Sequence, residues 1–253
     1  MLALFKSHYS IGKSILTLNH PKEVIKGGPN SIFKIAVDNN LKQVILVEDS
    51  LVGFFQAYKI SKDLDIQLIF GLRLSLRNSL KEEDENSDHK VIIFAKNDEG
   101  CKLLNKIYSK AFTEFNGFLD YNRLGSMWNE NYLKLAIPFY DSFIYANKFS
   151  FCNAVPDFSF TKPTFFIENN GLAFDTLLSN EVNLFTESGK KFPTQKVKSI
   201  YYTNKKDAEA LMTYKIICNR SFGKNRTISK PELEHFCSDE FSFESWKNKN
   251  VKV

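Results

Sequence analysis

The sequence predicts an α/β fold built on a parallel sheet, which over 253 residues suits a closed barrel. Strand-like and helix-like patterns alternate at intervals typical of βα units. The segment VILVEDSLVGF (Val44 to Phe54) runs four apolar residues without alternation into Glu48 and Asp49, then into helical spacing. An unbroken apolar run of that length is the pattern of a parallel strand buried on both faces. No Pro/Gly/Ser linker divides the chain, so a single domain spanning 1–253 is expected, with a polar extension from about Ser238.

The elements follow in order. LALF at the amino terminus is a short apolar start, KSHYSIGK a polar bend and SILTL a return to apolar residues. Ser31 opens SIFKIAVDNNL, whose apolar residues recur at three- and four-residue spacing, and Asn39-Asn40 suits the end of that helix. After Val44 to Val47 a helix is expected from about Ser50 to Leu64, then a strand over Ile66 to Leu76. Arg77 to Asp88 is charged and aperiodic and reads as an exposed loop. KVIIFA (Lys90 to Ala95) is the next strand. Asn97-Asp98 can cap a helix whose apolar face uses Leu103, Leu104, Ile107, Tyr108 and Ala111. Strands are then expected at Tyr132 to Ile137, Ser142 to Ala146 and Pro163 to Glu168, and helices at Leu172 to Leu178 and Asn204 to Cys218.

Composition narrows the classes. With 43% hydrophobic and 25% charged residues the chain can bury a sizeable core, and its 24 scattered Phe residues read as core filling. The net charge of +5 is a mild excess, far from the dense basic stripe of a dedicated nucleic-acid binder. No apolar run approaches the roughly 20 residues of a membrane span, and Met1 to Ser10 lacks a signal peptide's apolar core, so a cytoplasmic location is expected. Four separated cysteines (Cys101, Cys152, Cys218, Cys237) form no CxxC pair and indicate reduced thiols. Cys101 and Cys218 fall on apolar helix faces, where core packing is expected. His8, His20, His89 and His235 share no ligand-like spacing.

Several segments resemble the PHP domain at the amino terminus of bacterial C-family replicative DNA polymerases (the DNA polymerase III alpha subunit). The longest is DHKVIIFAKNDEGCKLLNKIYSKAF (Asp88 to Phe112). KSHYSIGKSIL (Lys6 to Leu16) is similar to the family's first motif and VEDSLVGF (Val47 to Phe54) to its second. SIYYTNKKDAEALMTYKIICNRSFGK (Ser199 to Lys224) and the later SDEFSFES agree in order and spacing. The resemblance implies a distorted barrel of seven β/α units. In active members it holds up to three metal ions at the carboxyl ends of the strands and hydrolyses phosphoesters.

Placed on this sequence, that family's metal ligands are nearly all replaced. The two His of the first motif fall on Leu4 and Lys6 and its Asp on Lys13; the Asp-His pair of the second falls on Val47 and Glu48. A Glu falls on Arg73, a His on Lys90 with His89 one place away, and the closing Asp-x-His on Ser199 and Tyr201. A Cys-bearing segment aligns only loosely near Phe139. Protonated Lys and Arg have no lone pair for a metal. No metal, cofactor or catalytic residue is therefore expected. Glu48 and Asp49 read as a helix cap plus a partner for Lys6 or Arg73, and Glu168, where the family often has a Glu, as a hydrogen-bonding residue. Lys6, Lys13, Arg73 and Lys90 are either drift at a barrel mouth or a set that substitutes for metal charge, holding a phosphate or a neighbouring carboxylate.

The resemblance thus implies a non-catalytic scaffold of a polymerase III alpha-type replication protein. It would be a fragment of a longer subunit or a separately encoded, phage-like protein, with polymerase or replisome components as partners, weak DNA contact at most and no membrane. Two rivals stand beside it: a divergent phosphoesterase or 3′–5′ exonuclease using Glu48, Asp49 and His8 or His89, and a phosphate or nucleic-acid binding module.

Overall fold

Seven strands of a computed structural model, which describes residues 1–80, 86–188, 191–218 and 238–250, close into a barrel. Along the chain they are β1 (Leu2–Phe5), β2 (Gln43–Glu48), β3 (Gln67–Arg77), β4 (His89–Ala95), β6 (Leu133–Ile137), β7 (Thr164–Ile167) and β8 (Thr194–Ile200). Around the ring the order is β2-β1-β8-β7-β6-β4-β3, and β3 returns to pair with β2. A short β5 (Phe118–Asp120) lies outside the ring against the end of β3. Helices α1 (Ile32–Asp38), α2 (Phe54–Asp63), α3 (Asp98–Glu114), α4 (Tyr121–Ser126), α5 (Phe143–Phe149), α6 (Asp175–Glu187), α7 (Ala208–Cys218) and α8 (Phe243–Asn250) surround it.

The alternation of side chains along each strand divides the core in two. Leu4, Ile45, Val47, Ile92, Ala136, Phe166 and Val197 fill the barrel, while Phe5, Val44, Leu46, Ile93 and Phe165 face the helices. This is why VILV is apolar throughout: both of its faces are buried, none of the four residues exposing more than 6%. Gly71 makes room for Phe94, whose ring would lie 2.6 Å from a Cβ added there. Many of the phenylalanines do fill the core, with Phe143, Phe158, Phe165, Phe185 and Phe192 forming one aromatic cluster between barrel and helices. Phe55 and Phe151 are exposed instead.

Helix ends follow local chemistry. Ser31 Oγ accepts from Phe33 N at the start of α1, and Asn97 Oδ1 accepts from Gly100 N (2.9 Å) at the start of α3. Asn40 takes the left-handed conformation (φ 53°) after α1, as the Asn39-Asn40 pair suggested.

The structure departs from the sequence reading at several points. The sheet is not wholly parallel: β4 runs antiparallel to both β3 and β6. The expected strand over 142–146 is instead the start of a helix from Phe143, with the hydroxyl of Ser142 capping α5 by accepting from Tyr145 N (3.2 Å). Residues 50–53 are a turn, so α2 begins at Phe54 behind Gly53, and α6 begins at Asp175 and runs to Glu187. Arg77 belongs to β3 and pairs with Asp88 (2.5 Å), and residues 81–85 of the expected loop lie outside the described residues. The segment from Ser238 is no extension. Ser242 bridges Tyr202, Phe241 and Phe243 are buried, and α8 packs beside the amino terminus, Trp246 Nε1 donating to Met1 O (3.0 Å).

Candidate functional site

Loops after the parallel strands, with the amino end of the reversed strand β4, form one mouth of the barrel. A cavity of about 430 Å³ opens there above Leu4, Val47, Ile92 and Phe166. Of the positions singled out by the resemblance, Leu4, Lys6, Lys13, Val47, Arg73, Ser199 and Tyr201 all line it. Residues from β1, β2, β3, β8 and the loop after β1 thus converge as the alignment of motifs suggested. Lys90 stands beside them; its charge acts on Asp49 and Asp141 and its Nζ donates to Ser75 Oγ.

The mouth is crossed by a chain of ion pairs. Lys6 Nζ donates to Asp49 Oδ1 (3.1 Å), Arg73 Nη1 lies 4.0 Å from the same oxygen, and Arg73 Nη2 bonds Asp141. Burial works against the charge of Asp49, but the ammonium of Lys6 and the guanidinium of Arg73 outweigh it and bring the carboxyl down to about 2. Asp141 is also held low, burial being overcome by Arg73 and Lys13. Lys6 and Lys90 are lowered too, by burial and by the nearby positive charge of Arg73, which for a lysine disfavours the charged form. The mouth therefore holds cations at a cost that its own carboxylates only partly offset.

Because Asp49 titrates below its ordinary 3.8, its pairing contributes stability above that pH and loses it as the pH falls toward about 2. The stability gap between the wild type and Asp49→Asn is accordingly expected to shrink over this window. Urea midpoints measured from neutral pH downward check it; a gap that stays constant to the bottom of the range would contradict the pairing.

Glu48 does not join the mouth. It is fully buried beneath the first loop, where Oε1 accepts from Ser7 N (2.7 Å) and Oε2 from Ser10 Oγ (2.5 Å). Burial pushes its carboxyl up, while Lys6 and the two serines pull it back. Neither acid caps α2, whose first turn receives no side-chain bond; the internal-partner reading of Asp49 holds and the helix-cap reading does not. Glu168 does take the hydrogen-bonding role, accepting from Ser199 N and Oγ (both 2.8 Å) and from Asn170 Nδ2 (3.0 Å).

The histidines are dispersed. His89 faces the outer layer, its ring nitrogens bonded to Ser87 O and Tyr121 OH (both 2.7 Å). His20 caps a short turn through Lys22 N, and the His8 ring lies tilted against Tyr9. His235 and Cys237 lie outside the described residues. Cys101, Cys152 and Cys218 are free thiols, half-buried rather than in the core. Phe139, near the loosely aligned Cys-bearing segment, is fully buried.

Sequence reasoning missed Asp141, the main partner of Arg73, together with Tyr140, Tyr145 and Lys215 in the cavity wall. The Asp-Ser pair before an apolar run was the available signal: Asp141 takes a left-handed turn (φ 61°) that Asp tolerates, and Ser142 then caps a helix.

Among the described residues no three His, Cys, Asp or Glu side chains come together as a metal site. The cationic mouth does not fit the metal cluster of the resembled family, since ammonium and guanidinium groups offer a metal no lone pair and repel it. Among the described residues no helix is long and apolar enough to cross a membrane. Fold and site define a closed α/β barrel with an ion-paired, cation-rich mouth. No protein-family model matches the chain, and no curated protein matches it.

Proposed function

We propose that the protein is a non-catalytic PHP-like barrel serving as a scaffold in a polymerase III alpha-type replication assembly. The observation that carries this reading is the ion-pair chain Lys6–Asp49–Arg73–Asp141. It spans the ground where the resembled family would hold metal ions. Fixed cations supply there some of the positive charge that metal would otherwise bring, so a barrel without the ligands keeps its mouth ordered by internal pairing. The scaffold's partners would be the palm, thumb and fingers of a polymerase, or other replisome components.

The test has three readouts. Elemental analysis of protein purified with Mn²⁺ or Zn²⁺ is expected to give substoichiometric metal, and a generic phosphodiester should not be hydrolysed. Stoichiometric metal together with turnover would replace the scaffold by the divergent phosphoesterase. Mixing with the polymerase core from the same source should give co-elution on size exclusion. Separate elution of the two at micromolar concentration would remove the proposed role in the assembly.

A further inference from the structure

A second cavity opens at the other end of the barrel. Its walls come from segments that precede strands: Glu130 before β6, residues 158–162 before β7, and Lys191 with Phe192 before β8. The mouth lies instead at the carboxyl ends of those strands. The volume of about 420 Å³ falls within the roughly 300–1,000 Å³ usual for small-ligand sites. Along one wall aromatic and polar residues alternate, Phe158-Ser159-Phe160-Thr161-Lys162, and Phe158, Phe160 and Phe192 are each partly exposed. The loop is held in place. Asp157 Oδ1 accepts from Ser159 N (2.9 Å), and Trp128 backs Phe160 with ring centroids 5.4 Å apart. Gly125 in α4 admits the Phe160 ring, which a Cβ there would meet at 2.9 Å. Among the described residues the ammonium groups of Lys162 and Lys191 and the hydroxyls of Ser159 and Thr161 have no hydrogen-bond or ion-pair partner. Glu130, the carboxylate of the same wall, engages neither lysine.

We infer that this groove binds one nucleotide of a single nucleic-acid strand, its phosphates on Lys162 and Lys191 and its base against the phenylalanine rings. Sites that take a strand without sequence preference combine cations that follow the backbone with aromatic faces that receive the bases. Ser159 and Thr161 add hydroxyl donors for phosphate oxygens. Glu130 suits an exocyclic amino group, as carboxylates accept from cytosine N4. A loop already held in shape loses little freedom on binding. An acidic peptide would also meet the lysines, but the flat ring surfaces favour a base. The inference goes beyond the scaffold reading and does not need it. Separate elution from a polymerase core leaves it standing, and absence of strand binding leaves the scaffold standing.

The experiment is fluorescence anisotropy of a short labelled oligodeoxycytidine titrated with the full chain in EDTA, from about 50 to 200 mM salt. Saturable binding is expected. Two lysines on phosphates of a single strand imply a slope of log K against log salt of about −1.4, or about −0.7 for each. Lys162→Gln and Lys191→Gln should each bind more weakly and flatten the slope by about 0.7. Phe160→Leu should weaken binding about fivefold or more, and an abasic oligomer of the same length should lose as much. Lys59→Gln, on an exposed lysine of α2 outside both cavities, should bind as the wild type does. Circular dichroism checks folding. Lys162 and Lys191 are exposed, so their variants decide the matter if Phe160→Leu misfolds.

Weaker binding and a flatter slope in both lysine variants, together with the loss for the abasic oligomer, would establish the site. Absence of saturation at the lowest salt, or affinity and slope unchanged in Lys162→Gln and Lys191→Gln, would overturn it. Equal affinity for the abasic oligomer would show that no base enters the groove and would overturn it as well. Displacement of the oligomer by polyglutamate at equal concentration would give the groove to an acidic protein segment instead.

Discussion

A chain lacking residues 238–253 is expected not to fold cooperatively at room temperature. The sequence of this segment is mostly polar, yet Phe241 and Phe243 are only 2% and 4% exposed. Burying an aromatic side chain of that size contributes about 1.5–3 kcal/mol. The backbone adds two bonds of 2.9 Å, Tyr201 N to Phe241 O and Phe243 N to Tyr202 O, which tie the segment to the end of β8. Glu240 also leaves with it. Lys198 is a fully buried lysine on β8 whose Nζ donates to Glu240 (3.1 Å) and to Asn170 (2.8 Å), and burial already lowers its ammonium to about 8. Stripping the partner from a buried charge costs about 3–5 kcal/mol, somewhat less here because Glu240 is itself partly exposed. Together these losses reach the roughly 5–15 kcal/mol that keeps a domain folded. Urea unfolding followed by circular dichroism tests it. A sigmoidal transition within about 1 kcal/mol of the full chain would show that the segment is dispensable.

Arg73→Ala should cost about 2–4 kcal/mol. Two effects add. The arginine stem is packed inside the barrel, and removing its guanidinium leaves Asp49 and Asp141 with only the weaker influence of Lys6, Lys13 and Lys90. The figure stays below that for a fully buried pair because Asp49 and Asp141 are 34% and 54% exposed. Arg73→Lys should restore charge without the fork and recover only part of the loss. A double-mutant cycle with Asp141→Ala separates the pair from the packing: a coupling energy near zero would show that the stem alone matters.

What the sequence disclosed about this fold depended on how local the signal was. VILV announced a strand buried on both faces, and Ser31 and Asn97 announced their helices, because periodicity and caps are written in neighbouring residues. The direction of β4 was not legible, since an apolar run reads the same in a parallel or an antiparallel strand. FIYAN looks like a strand because it is short, aromatic and β-branched, and only the capping hydroxyl of Ser142 betrays the helix. β8 escaped notice because TQKVKSI carries two lysines, one of which is buried through a partner more than forty residues away. The chemistry of the mouth was legible at Lys6, Arg73 and Lys90, which the motif comparison placed together. Asp141 was not, because its role depends on a turn that brings it beneath Arg73 from another strand.

The position of β1 between β2 and β8 also dictates when the ring can close. Leu4 pairs with Ile45 on one side and with Ser199 on the other, so one edge of the first strand waits for the last. During synthesis from the amino terminus, β1 and β2 emerge early, while β8 follows only after most of the chain has been made. Until then an apolar strand presents unpaired N–H and C=O groups, the condition that favours pairing with other chains. Contacts so distant in sequence also slow folding, because the entropy of closing a long loop comes before the reward. The seam between the first and last strands is thus both the final step of assembly and the place where a nascent chain is most exposed to error.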